Sequence, residues 1–227
     1  MELVVARLED LRTQITESFE HAVRERESLS LAISGGATAL VFFGALRVAR
    51  VNWSRVTLFW ADERAAPADS PESNYGVAER LLLQPLAGGA PRALRMPADL
   101  PDLEEAALQY DETLAYELRG GPLDLAILGI GEDGHVCSLF PGHPALQQLE
   151  HRVVAVHDAP KPPPRRLSLT MPFLCQTRKL WLVVLGARKN AVLQAAVARS
   201  RLETPLDILL AVAKDWTIFT DQPIHRG

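Results

Sequence analysis

Gly129-Ile-Gly-Glu-Asp-Gly-His135 places three glycines, two carboxylates and one imidazole within seven positions, straight after an apolar run. A neutral imidazole, titrating near pH ~6.5, is the natural proton acceptor at neutral pH. Asp133 or Glu132 can orient it, or stabilise the imidazolium that forms. Gly129, Gly131 and Gly134 can adopt positive φ, so the loop can bend tightly and aim His135 into a crevice. An Asp-x-His pair also suits a metal. No second histidine or cysteine pair stands at ligand spacing nearby, so no metal is expected. The bland alternative is a packed or surface histidine; the glycines and acids around it argue for a general base.

Three other clusters could hold an anion. Ser34-Gly35-Gly36-Ala37-Thr38 combines paired glycines, two hydroxyls and the start of a helical run. Such a turn either cradles a phosphate on free N–H groups or is only a tight turn with Thr38 as N-cap. In Asp62-Glu63-Arg64, Arg64 can grip a phosphate or carboxylate bidentately, and Asp62 can hold sugar hydroxyls or orient a neighbour. The alternative there is a solvated Glu63–Arg64 ion pair, which is worth little. Lys161-Pro-Pro-Pro-Arg-Arg166 and Gly186-Ala-Arg-Lys189 supply further cations, Arg165, Arg166 and Lys189. Singly these are solubilising charges. Together the clusters suit a phosphorylated small molecule held beside a histidine.

The elements that must position them read as strands at 30–34, 55–61, 123–129, 152–157, 179–186 and 216–220, rich in β-branched, leucine and aromatic residues. Several are apolar at successive positions, as parallel strands covered on both faces require. Leu8, Leu11, Ile15, Phe19, Ala22 and Val23 fall at helical spacing, and 73–84, 103–118 and 188–199 also read as helices. Ser73 suits an N-cap and Pro205 a first helical position. The alternation predicts an α/β fold, a doubly wound, mostly parallel sheet with helices on both faces. The glycine- and proline-rich stretches at 87–97 and 159–166 are loops within one domain spanning 1–227. In such folds ligands bind outside the carboxyl ends of the strands, which is where the four clusters fall.

The chain has 227 residues, 48% of them hydrophobic, and a formal net charge of −4. That length supports one full core. The balance and the scattered basic residues argue against nucleic acid or a membrane surface as partner. No apolar run is long enough to cross a bilayer and no secretory leader is visible, so a cytoplasmic protein is expected. The two cysteines, Cys137 and Cys175, have no metal or redox spacing and read as reduced thiols, Cys137 as a small hydrophobe. No apolar helix face stands out as unaccounted for, so a monomer is the expectation.

The blocks SGGAT (34–38), ADERAAPADSPESNYG (61–76), GIGEDGHVCSLFPG (129–142), APKPPPRRLSLTMPFL (159–174) and GARKNAVL (186–193) resemble the 6-phosphogluconolactonase family, in its order and approximate spacing. The related glucosamine-6-phosphate deaminases share the glycine loop and the histidine block, but typically follow the histidine with asparagine and glutamate; VCSLFPG is lactonase-like. The resemblance implies hydrolysis of a phosphorylated sugar lactone without metal or organic cofactor. It implies His135 as the base, with Asp133 beside it. Ser34, Gly35, Gly36, Thr38, Asp62, Arg64, Ser73, Asn74, Gly131, Arg166 and Lys189 would be the substrate-binding set. Rival readings are a sugar-phosphate deaminase or isomerase, and a non-catalytic sensor, for which no attached DNA-binding or partner segment is evident. Two features depart from the family. Ala37 and Ala39 stand where it usually has serine and proline, so Ala39→Pro is expected to be neutral or stabilising if the backbone is compatible. The segment TPLDILLAVAKDW lacks the family's small-residue motif and receives no role.

Overall fold

An unbroken apolar run is satisfied only where both faces of a strand are covered, and the central strands of the computed structural model meet that condition. The structure describes residues 2–86, 89–198 and 202–224. In β6 (Leu125–Leu128) every residue is buried, and in β2 (Leu29–Ile33) all but Ser30 are. Seven strands form one parallel sheet in the order β1 (Glu2–Val5), β10 (Trp216–Thr220), β9 (Lys179–Val184), β6, β2, β3 (Val56–Trp60), β5 (Arg92–Leu94). From β2 the chain moves through β3 to β5 at one edge. It then returns to β6, on the other side of β2, and moves through β9 and β10 toward the opposite edge. β2 and β6 are thus neighbours whose onward connections diverge, the topological switch at which α/β sheets open a crevice.

The helices follow the apolar periodicity. α1 (Leu8–Arg24) buries Leu11, Ile15, Phe19 and Val23, one residue per turn. α2 (Ala39–Val48) packs on it, and Phe19 meets Trp53 with ring centroids 5.3 Å apart. Ser73 caps α3 (Asn74–Ala78), its hydroxyl accepting from the Gly76 N–H at 3.0 Å. The helix then widens by one π-type stretch over Glu79–Leu83 and closes with α4 (Gln84–Leu86). α5 (Leu103–Glu117), α6 (Met171–Gln176), α7 (Ala187–Ala198) and α8 (Pro205–Val212) follow, with Pro205 at the first helical position. Residue 199 of the expected helix at 188–199, residues 87–88 of the glycine-rich loop, and the chain's outermost residues lie outside the described residues.

One assignment changes. The run at 152–157 does not join the parallel sheet. As β7 (Val153–Val156) it pairs antiparallel with β8 (Arg166–Leu169), which pairs antiparallel with β4 (Asp62–Arg64). The chain changes sheets at Ala61, whose N–H donates to Ile33 O (2.8 Å) while its carbonyl accepts from the Leu169 N–H (2.8 Å). The strand carrying Asp62 and Arg64 therefore leans away from the main sheet and forms one wall of the crevice.

Candidate active site

Register brings the first two loops together. Ile33 pairs with Ile127, so β2 and β6 end side by side. The Ser34 hydroxyl accepts from the Gly129 N–H at 3.0 Å, tying the glycine loop to the histidine loop. Gly36, at φ +84, turns the chain toward α2. Thr38 does occupy the N-cap position, but its side chain does not cap. Its oxygen instead accepts from Lys189 Nζ at 3.1 Å, reaching across from α7.

The histidine loop is folded on itself. Gly131 N–H donates to His135 O (2.9 Å) and Gly134 N–H to Gly131 O (3.1 Å). His135 Nδ1 lies 2.5 Å from Asp133 Oδ1, so Asp133, not Asp62, orients the imidazole. A carboxylate at Nδ1 selects the tautomer with its proton there and leaves Nε2 with a lone pair. Gly131 is required at its position, because a Cβ there would overlap His135 Nδ1 and Asp133 Oδ1. Phe140 backs the imidazole, with centroids 4.7 Å apart, and Ser138 Oγ donates to Asp62 Oδ2 at 2.9 Å. The residues after the histidine thus support the ring and the facing wall.

Burial pulls the His135 pKa below the ordinary histidine value, against the opposing pull of Asp133; the nearby Lys161 charge adds to the lowering. The imidazole is therefore neutral at neutral pH. Burial raises the Asp133 carboxyl, but the hydrogen bonds and charge of His135 and the Lys161 ammonium prevail and hold it at about 2.

Opposite lies a cationic wall. Arg64 donates from Nη1 to Glu72 O at 2.8 Å, while its Nε is buried without a partner. Burial lowers the Lys189 ammonium pKa, consistent with an anion-seeking cation taken partly out of water. Ser34, Gly35, Gly36, Thr38, Asp62, Arg64, Gly131, His135, Arg166 and Lys189 all line one crevice of about 280 Å³, with Lys161, Glu132, Ile130 and Cys137. Cys137 is buried, which pushes its thiol pKa well up and leaves it a poor nucleophile.

Five residues sit differently from the sequence reading. Ser73 and Asn74 lie behind the wall: the Asn74 amide donates to Asp62 O at 2.9 Å and fills the place where a Gly35 side chain would go. Arg166 lines the crevice, yet its Nε and Nη2 already donate to the carbonyls of Pro163, Lys161 and Pro162 at 2.9–3.0 Å. Glu63 forms no surface ion pair. It is buried, and its carboxylate accepts from the N–H groups of Arg64, Asn74 and Tyr75 (each 2.7 Å) and from Ser73 Oγ (3.0 Å). A carboxylate at the opening of a helix meets its free donors and positive end. Arg165 points to Pro101 O, away from the others.

Sequence reasoning also missed Lys161, whose Nζ is 3.1 Å from Asp133 Oδ2, and Thr204, which packs on Gly134 (φ +79) where the Leu206 N–H donates to Gly134 O. A Thr-Pro-x-Asp capping box was visible there; its partner loop was not. Among the described residues no cluster of histidine, cysteine and carboxylate side chains is arranged to hold a metal ion, and no helix is long and apolar enough to cross a membrane.

A His–Asp pair, its imidazole half-buried, facing a cation-lined cleft at the switch point of a parallel sheet defines an α/β protein suited to a small anionic ligand. The chain belongs to the glucosamine-6-phosphate isomerases/6-phosphogluconolactonase family, whose model matches residues 5–218. It is 38% identical over 186 residues to the 6-phosphogluconolactonase of Mycobacterium tuberculosis, covering 78% of this chain and 75% of that one. To the human 6-phosphogluconolactonase it is 38% identical over 193 residues, covering 82% and 74%. The crystal structure of a 6-phosphogluconolactonase from Shewanella baltica superposes with a TM-score of 0.85 at 26% identity, covering 97% of both chains. A monomeric glucosamine-6-phosphate deaminase superposes at 0.78 with 18% identity over 97% of both chains, a likeness of fold alone.

Proposed function

We propose that this protein hydrolyses 6-phospho-D-glucono-1,5-lactone to 6-phospho-D-gluconate, a step of the pentose phosphate pathway, with His135 as general base. The observation that carries the reading is the His135–Asp133 contact: it commits Nδ1 and leaves Nε2 as acceptor in a crevice walled by Arg64 and Lys189. The lactonase-named relatives select the lactone among phosphorylated sugars.

In the first step His135 Nε2 takes a proton from water as the water oxygen bonds to the lactone carbonyl carbon. The carbonyl π pair moves to oxygen and gives a tetrahedral oxyanion, which N–H groups of the glycine loops and the neighbouring cations stabilise. Asp133 balances the imidazolium charge. In the second step the carbonyl re-forms, the bond from that carbon to the ring oxygen breaks, and the imidazolium returns its proton to the ring oxygen. Arg64, Lys189 and the free N–H groups at Gly35 and Gly36 hold the phosphate, and binding it fixes the remote carbonyl for attack. No metal or organic cofactor has a part in this scheme.

In this reading the protein acts as a single-domain monomer. Both cysteines are free, as in a reducing cytoplasm.

The test is the opening of freshly generated 6-phosphogluconolactone by purified protein, with spontaneous opening subtracted at each pH. Saturable acceleration that His135→Ala abolishes is the expected result. No acceleration by folded protein overturns the reading, and release of ammonia from glucosamine 6-phosphate in its place would assign the chain to the deaminases.

A further inference from the structure

We propose that Lys161 is a positioning residue for the His135–Asp133 pair, and that Arg166 serves to hold the Lys161 loop rather than to grip the substrate; the inference rests on His135 being the base. The Asp133 carboxylate is divided between two partners. Its Oδ1 meets His135 Nδ1 at 2.5 Å and its Oδ2 meets Lys161 Nζ at 3.1 Å. A carboxylate held at both oxygens cannot rotate away from the imidazole. The ammonium is itself 3.3 Å from His135 Nδ1, so it is close enough to oppose a positive imidazolium.

The loop that carries this lysine is built to keep it there. Pro162, Pro163 and Pro164 have restricted φ and no N–H to offer. Arg166 bonds three consecutive carbonyls, those of Lys161, Pro162 and Pro163, and the Ala159 N–H donates to Pro164 O at 2.9 Å. Arg166 is only 4% exposed, and its guanidinium lies 5.6 Å from the centroid of Phe140, the ring that backs His135. One buried cation thus fixes the loop on one side and abuts the ring behind the base on the other. With Nε and Nη2 committed to backbone, it has little left for a phosphate.

The charged groups around His135 are few enough to state the sign. Its own loop supplies Asp133 and Glu132. The facing wall supplies Asp62 and Arg64, β8 supplies Arg166, α7 supplies Lys189, and the proline loop supplies Lys161. The start of α8 meets the loop through Thr204 and the Leu206 N–H, neither charged. Removing the Lys161 charge takes away repulsion of the imidazolium and frees Asp133 to serve His135 alone. Both effects favour the protonated base.

The experiment is an NMR titration of the His135 ring in substrate-free protein, with a kcat/KM–pH profile, for wild type, Lys161→Met and Lys161→Arg. In Lys161→Met the midpoint and the acid limb should move upward together. At the pH of the wild-type half-maximum, kcat/KM should then fall roughly two- to five-fold beyond any change in the plateau. Lys161→Arg should restore the wild-type midpoint. Arg166→Met should move the midpoint in the same direction by releasing the loop; if this buried substitution unfolds the protein, the half-exposed Lys161 variants still decide. An unmoved midpoint in folded Lys161→Met overturns the proposal, as does a raised KM with the acid limb in place, which would make Lys161 a substrate cation. Failure of the wild type to open the lactone would refute the hydrolase reading and leave the titration to judge the lysine.

Discussion

β2 and β6 lie side by side, and their two ends treat charge in opposite ways. At the amino end Asp124 is saturated: Oδ2 accepts from the Ser30 N–H (3.0 Å) and Ser30 Oγ (2.8 Å), Oδ1 from Arg26 Nη1 (3.0 Å), with Arg178 Nε 3.4 Å away. The acid is satisfied by its own protein. At the carboxyl end Lys161 pairs with Asp133, but the other crevice cations have only uncharged hydrogen-bond partners: Arg64 a carbonyl, Lys189 a threonine hydroxyl, Arg166 three carbonyls and a distant serine. The Arg64 and Lys189 charges are thus held in the crevice without a carboxylate bonded to them, which favours an anionic ligand there. The same pair of strands is stapled at one end and poised at the other. Substitutions at the two ends should therefore fail in different measurements.

The largest effect falls on His135, the base of the proposed mechanism. His135→Ala should lower kcat by roughly 10²–10⁴ with little change in KM or melting temperature. In the wild type, burial lowers the imidazole pKa, so the neutral base persists below the pH at which a free histidine protonates. The acid limb of kcat/KM should accordingly lie below pH ~6.5, the unperturbed histidine value. A limb above that value would contradict the environment assigned to His135.

Gly131→Ala should come next. The added methyl occupies space held by the His135 ring and Asp133, so the pair must shift. A misplacement near 1 Å can cost about 10² in rate, and kcat should fall by that order while the substrate still saturates. Wild-type kcat would mean that the pair is not held where the crevice geometry places it.

Arg64→Ala removes a half-buried cation and should raise KM at least roughly tenfold, the loss expected for charge-assisted hydrogen bonds, with kcat changed less. Asp124→Ala is its counterpart at the other end. It leaves Ser30 and Arg26 without their shared acceptor, and should cost about 1–3 kcal/mol in urea unfolding with kcat and KM intact. A catalytic defect in Asp124→Ala, or a mainly structural one in Arg64→Ala, would erase the distinction between the two ends.

The crevice was readable before the fold because its chemistry lies in contiguous loops that each follow an apolar run, and parallel strands bring such loops to one end. Tyr110 and Glu63 were not readable. The Tyr110 hydroxyl accepts from the Trp60 N–H at 2.9 Å, across fifty positions, and Glu63 looks in sequence like half of a surface pair with Arg64. β1, β4, β5 and β8 escaped notice for another reason. β1, β4 and β5 are only three or four residues long, β1 and β5 are half-exposed edges, and the buried β8 alternates polar with apolar side chains, so none shows an apolar run long enough to mark a strand. Lys161 and Thr204 needed the folded chain, since each meets the histidine loop from a distant segment.

The smallest effect tests the loop where this chain departs from its family. Proline at position 39 looks harmless in sequence, since it is a favoured first helical residue. The backbone says otherwise. The Ala39 N–H donates to Gly36 O at 3.0 Å, a bond proline cannot make, and Thr38 before it has helical angles (φ −70, ψ −26), which a following proline disfavours. Ala39 is also fully buried, so a ring has no free space to enter. Ala39→Pro should therefore destabilise by about 1 kcal/mol or more, a fall of roughly 2–4 °C per kcal/mol in melting temperature. The disturbance sits at the turn that presents the Gly35 and Gly36 donors, so KM should rise slightly and kcat should hold. An equal or higher melting temperature would show that the turn relaxes to the family's shape when given the family's residue, and that its present hydrogen bond contributes little to holding the phosphate wall.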